Sequence, residues 1–104
     1  DLIIKTTTTG KKDFVEELNQ LRAQIDCFDD ELLTLIANRM NVARKIGEIK
    51  IQNDVTVLQS SRWSEILERT IDKSEKLKLG KAFVTSYMEA LHIESIRIQD
   101  SLNK

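Results

Sequence analysis

The sequence predicts an all-α protein of three helices, one of them very long. Two observations carry that reading. The 104 residues contain no proline and only three glycines, with 40% apolar and 32% charged side chains, a helical profile. Apolar residues also recur at alternating spacings of three and four, the period of one helix face. The length suggests one small domain. Net charge is −1 and the isoelectric point near 5.9. That balance argues against broad contact with a phosphate backbone, so no nucleic-acid partner is expected. The single cysteine, Cys27, has no partner for an internal disulfide, and a reducing cytoplasm is the expected setting. No run approaches the ~18 apolar residues that a membrane span needs, and no secretory signal is visible.

The first twelve residues, DLIIKTTTTGKK, show no helical period. Thr6 to Gly10 read as linker, because threonine is stiff at χ1 and disfavours helix. Residues 1–12 are therefore assigned to a linker or disordered tail, and 13–104 to the helical domain. An opening without methionine reads as a piece of a longer protein or a processed form.

The first helix is expected from about Asp13 to Lys50. Its apolar stripe runs through Phe14, Leu18, Leu21, Ile25, Phe28, Leu32 and Leu35, then resumes at Val42, Ile46 and Ile49. Such a helix is roughly 57 Å long, whereas a compact domain of this size has a radius of gyration of about 13 Å. Two shorter helices cannot cover that stripe, so it needs a partner, and a second copy is the simplest one. Residues 51–61, IQNDVTVLQSS, break the period and read as a loop. Ser60 or Ser61 offers an N-cap for a second helix reaching about Leu79. Its inward residues are Trp63, Ile66, Leu67 and Ile71, and Gly80 is expected as its C-terminal stop. A third helix covers about Lys81 to Leu102, with a seam of Val84, Met88, Leu91, Ser95, Ile98 and Leu102.

Polar residues interrupt these seams. Between the two apolar runs of the first helix the spacing calls for an apolar residue at 39, and the sequence has Arg39. Lys50 lies eleven residues on, three turns plus about 20°, hence on the same face. Ser95 and Gln99 share a face of the third helix, and Arg62 sits in the first turn of the second. A lone buried cation costs several kcal/mol unless paired. Positions 35, 36, 42 and 43 around Arg39 are all apolar, so its anion must come from elsewhere. A ligand carboxylate suits the forked guanidinium.

Taken singly, each departure has a plain reading. Arg39 is a register device or a snorkelling side chain, Lys50 a solvated helix end, and Ser95 a small packing residue. His92 reads as a half-buried packing residue and Cys27 as a packing thiol without an activating histidine. No metal set or cofactor motif is present. Together, however, the departures are all cations or neutral donors, and they read as a pocket for a dianion.

The segments LRAQIDCFDDELLTLIANRMNVARKIGEIK and ESIRIQ, with an arginine after the loop between them, resemble the all-helical chorismate mutase family over about residues 13 to 102. The resemblance implies an intertwined six-helix homodimer with two active sites. It implies that Arg39 and Arg62 hold substrate carboxylates, that Ser95 supports one of them, and that Arg22 enters the site from the partner chain. Lys50 and Gln99 then donate to the ether oxygen of chorismate, and the backbone of Gln59 faces its hydroxyl. Geometry independently separates Arg22 from Lys50 by about 42 Å on a straight helix, so an antiparallel partner is needed to bring them together.

One position departs from the pattern. Many members have a glutamate directly after the loop arginine, bonding the substrate hydroxyl, and here that residue is Trp63. Isochorismate pyruvate lyases resemble this chain in lacking that acid, and they stay open as an alternative. The serine in ESIRIQ favours the mutase branch. The VLQSSRW segment and the linker also resemble a mutase domain fused behind a DAHP synthase, the first enzyme of the shikimate pathway. A regulatory module that binds chorismate or prephenate for such a synthase is a further alternative. The rearrangement itself needs no nucleophile, metal, cofactor or general acid, only orientation and charge stabilisation.

Overall fold

The computed structural model describes residues 8–56 and 60–102. Its regular structure, among the described residues, is three α-helices: α1 (Thr8–Gln52), α2 (Ser60–Lys76) and α3 (Lys81–Ser101). The all-α expectation with one long helix holds. Helix α1 begins five residues earlier than expected, so residues 8–12, read as linker, are helical. The first turn of a helix tolerates poor formers, because its N–H groups have no intrahelical acceptor to lose.

The chain divides into two units, Asp1–Ala37 and Asn38–Lys104. In the first, the expected apolar stripe is present and exposed: Leu21 at 52%, Phe28 at 61% and Leu35 at 63%. In the second, a small core forms from Met40, Ala43, Ile66, Val84, Leu91 and Ile98. The α1 face buried there is Met40, Ala43 and Gly47, one position off the stripe of Val42, Ile46 and Ile49, which stays exposed. The reason is steric. Small residues at 43 and 47 let α3 come close, and Val42 and Ile46 do not. The inward residues expected for α2 and α3 are buried or half-buried.

Two helix ends close in the same way. The Val55 N–H donates to the Lys50 carbonyl at 2.8 Å and the Asp54 N–H to the Ile51 carbonyl at 3.3 Å. At the end of α2, Leu79 donates to Ser74 at 2.9 Å and Lys78 to Glu75 at 3.2 Å. Both are Schellman caps, which place one residue in the left-handed region. Those residues are Asp54 (φ 56°) and Lys78 (φ 59°). Gly80 is therefore not the stop of α2. It is the N-cap of α3, with φ −63° and ψ 129°, an extended conformation open to any residue. Ser60 and Ser61, expected as N-cap candidates, both lie inside α2, and the residue before them is outside the described residues.

The left-handed region is costly for a side chain carrying Cβ. Lys78 is exposed, so replacing it sacrifices no packing. Lys78→Gly is expected to stabilise the protein by about 0.5–1 kcal/mol, after allowing for the freedom glycine adds to the unfolded chain. The urea midpoint measures it, and a lowered midpoint contradicts the strain.

Candidate active site

The second unit encloses a cavity of about 470 Å³ between the end of α1, the start of α2 and the C-terminal half of α3. Its polar lining is Arg39, Lys50, Arg62, His92, Ser95 and Gln99, and its apolar walls are Val42, Ala43, Ile46, Ile66 and Ile96. The volume and the mixture of apolar walls with a few convergent polar groups suit a small molecule.

Each polar group is placed by helix spacing. His92, Ser95 and Gln99 stand at i, i+3 and i+7 on one face of α3. Arg39 and Lys50 face them from α1. The Arg39 guanidinium donates from Nη1 to Ser95 Oγ at 2.7 Å. Ser95 is buried and passes its own proton to the Leu91 carbonyl at 2.9 Å, with the Met40 sulfur 3.6 Å away. One turn on, Lys50 Nζ donates to Gln99 Oε1 at 3.1 Å. An ammonium has only donors, so it fixes the amide with oxygen towards Lys50 and leaves the NH₂ as a donor. Gln99 is only 5% exposed.

The charge balance follows from these partners. Arg39 and Lys50 are half-buried and their cavity-side partners are neutral. The charged side chains lining the cavity are three cations, Arg39, Lys50 and Arg62, and no acid is among the lining residues. An anion entering it meets charge-assisted hydrogen-bond donors. The cost of desolvating such cations is recovered only when it arrives.

Seven of the eight site residues expected from the sequence can be placed. Arg39, Lys50, Arg62, Ser95 and Gln99 come together around one cavity, as their shared faces required. Trp63 does not line it. Its indole stacks on the His92 imidazole at 4.3 Å between ring centres, with planes 22° apart. Arg22 belongs to the first unit, is exposed and is not among the lining residues. Gln59 lies outside the described residues.

Sequence reasoning missed two contributors. His92 was read as packing, yet it borders the cavity three residues before Ser95; its position on the Ser95–Gln99 face was the available signal. Gly47, inside the first helix, breaks no apolar pattern and gives no sign of a role. A Cβ built there would lie 2.9 Å from Leu102 Cδ1 and 3.0–3.1 Å from Gln99 Cγ and Cβ, so glycine sets how closely α1 approaches Gln99.

A helical fold with a cavity lined by cations and neutral donors has the character of a site for a small anion. The chain belongs to the chorismate mutase type II family, whose model matches residues 21–100. It is 33% identical over 81 residues to a bifunctional chorismate mutase/prephenate dehydratase of Aquifex aeolicus, covering 74% of this chain and 22% of that protein. It is 26% identical to a 4-amino-4-deoxychorismate mutase of Streptomyces venezuelae, over 81% of this chain and 82% of that one. It is 27% identical to the T-protein of Haemophilus influenzae, of which it covers 22%. The chain thus spans about a fifth of the length of the bifunctional relatives it matches.

Gly47→Ala offers a test of the packing under the site. Alanine is the better helix former by about 1 kcal/mol. The Gln99 Cβ contact cannot swing aside as the Leu102 tip can, so the substitution is expected to lower the melting temperature. A rise would show that α3 yields freely.

Proposed function

We propose that the chain is a chorismate mutase, converting chorismate to prephenate as a homodimer. The observation that carries the reading is the pairing of cavity cations with neutral partners, Arg39 with Ser95 and Lys50 with Gln99. Chorismate bears two carboxylates and an ether oxygen that gains negative charge as its C–O bond breaks. In this reading Arg39 and Arg62 take carboxylates, with Ser95 orienting Arg39. Holding both carboxylates selects the conformer in which the reacting carbons approach, an orientation effect. Lys50 and the Gln99 amide donate to the ether oxygen, where preorganised donors stabilise the transition state more than the ground state.

The dimer supplies Arg22 from the partner. It rests on the family resemblance and on the exposed stripe of Leu21, Ile25, Phe28, Leu32 and Leu35, too large an apolar face to leave in water. Trp63 acts on the substrate through His92, and the Gln59 backbone is retained as a contact for the substrate hydroxyl. Fusion of such a domain to a second enzyme is the arrangement named in the bifunctional relatives; for this chain an upstream DAHP synthase is the fusion partner we favour, on the VLQSSRW segment. A cytoplasmic setting fits the free, exposed thiol of Cys27, and no helix among the described residues is long and apolar enough to cross a membrane.

The test is chorismate depletion by the 104-residue chain with product identification. Prephenate is expected. Release of pyruvate from isochorismate instead makes it a lyase, and ligand-dependent thermal stabilisation without turnover makes it a regulatory binding module.

Within that reaction, Lys50→Ala is expected to lower kcat by about 10²–10³, the usual loss for one preorganised donor, with a smaller change in KM. A near-normal kcat removes Lys50 from the ether oxygen.

Subunit exchange tests the shared site. Arg22→Ala and Arg39→Ala are each expected to be inactive. A mixed dimer has one site with both arginines and one with neither, so mixing restores part of the activity. Heterodimers that form and stay inactive place Arg22 outside the site.

A further inference from the structure

We propose that His92 is a further substrate-binding residue, which donates from its imidazole edge to the carboxylate held by Arg39 and makes substrate affinity depend on pH. The proposal rests on the mutase reading for the identity of the dianion.

Three placements support it. His92 borders the cavity and lies one turn before Ser95 on the same face of α3, at the Arg39 end and away from Gln99. One face of its ring is covered by the Trp63 indole, which fixes the plane and leaves the nitrogens at the edge. The charged groups that share its cavity are Arg39 and Lys50 from α1 and Arg62 from α2, and α3 contributes no acid to the lining. The charged side chains that line the cavity with the imidazole are therefore all positive, whereas Glu89, three residues before it on α3, is outside that lining.

The free site accordingly holds His92 below the ordinary histidine range, first through burial and then through the charge of Arg39. A bound dianion reverses the second cause, since an opposite charge nearby favours the protonated ring. Linkage gives the sign. If the complex holds its proton more tightly than the free protein, affinity rises as pH falls from the pKa of the complex to that of the free site, by at most about tenfold per pH unit. The neutral ring still donates one N–H, so binding weakens at higher pH without being lost. His92 sets the slope.

His92 is the single histidine of the chain, so one imidazole resonance reports it in NMR. Its titration is followed between about pH 4.5 and 8.5, without ligand and with saturating prephenate as the dianion. The pKa is expected to rise with prephenate; an unchanged or lowered value overturns the proposal. In kinetics on chorismate, KM of the unaltered chain is expected to rise about 3- to 10-fold from pH 6 to 8 while kcat changes little. In His92→Gln, which keeps a neutral donor, the KM profile is expected to be flat across that pH range. A His92→Gln profile that still follows the unaltered chain makes His92 a packing residue and overturns the proposal. The two readings fail separately: no prephenate from chorismate sinks the mutase, whereas the titration with prephenate decides His92 regardless.

Discussion

Two cations on α1 are held by neutral side chains on α3, and the site depends on that choice of partner. Had position 95 or 99 carried an acid, each pair would be a salt bridge with no net charge to offer. Ser95 and Gln99 orient Arg39 and Lys50 with a hydrogen bond apiece and bring no opposite charge to either. A neutral partner positions a cation almost as well as an acid does, while forgoing the Coulombic term. That forgone stabilisation becomes available to a ligand. The cavity is thus a locally unfavourable arrangement of like charges, sustained by the surrounding helix packing.

The packing that sustains it is narrow. Gly47 allows α1 to approach the Cβ of Gln99, and the Schellman cap at Asp54 closes α1 on the Lys50 carbonyl. Lys50 is therefore fixed from both ends, by its backbone through Val55 and by its ammonium through Gln99. Helix ends fray unless their last carbonyls find donors. A functional lysine in the final turn needs such a cap more than one in mid-helix would.

Much of this was legible in the sequence, because the informative residues are those that break a pattern. Arg39 and Ser95 stand where the helical period demands apolar side chains, and both line the cavity. Gly47 and His92 break no pattern. A glycine in mid-helix reads as a weakness in the helix, and only the approach of α3 shows it to be a clearance. A histidine next to seam positions is ordinary packing until its neighbours prove to be cations. The helix stops were misplaced for a related reason. Gly80 is the residue that left-handed caps favour, yet Asp54 and Lys78 occupy the left-handed positions, because two backbone hydrogen bonds at each end outweigh a strain of about 1 kcal/mol. The burial stripe of α1 was misread by one position because the heptad repeat of its first half was extended through its second.

That shift of one position reveals what α1 is doing. In the first unit the heptad stripe is apolar throughout and exposed, a surface that asks for another helix. In the second unit the same stripe, continued through Arg39, Val42 and Ile46, walls the cavity, while Met40, Ala43 and Gly47 take over the packing. One face of a single helix is thus an exposed apolar stripe in the first unit and a cavity wall in the second. An apolar seam can change use in this way only if a second, neighbouring stripe is small enough to keep α3 in place. Ala43 and Gly47 meet that condition, and they do so where Val42 and Ile46 could not have packed and lined the cavity at once.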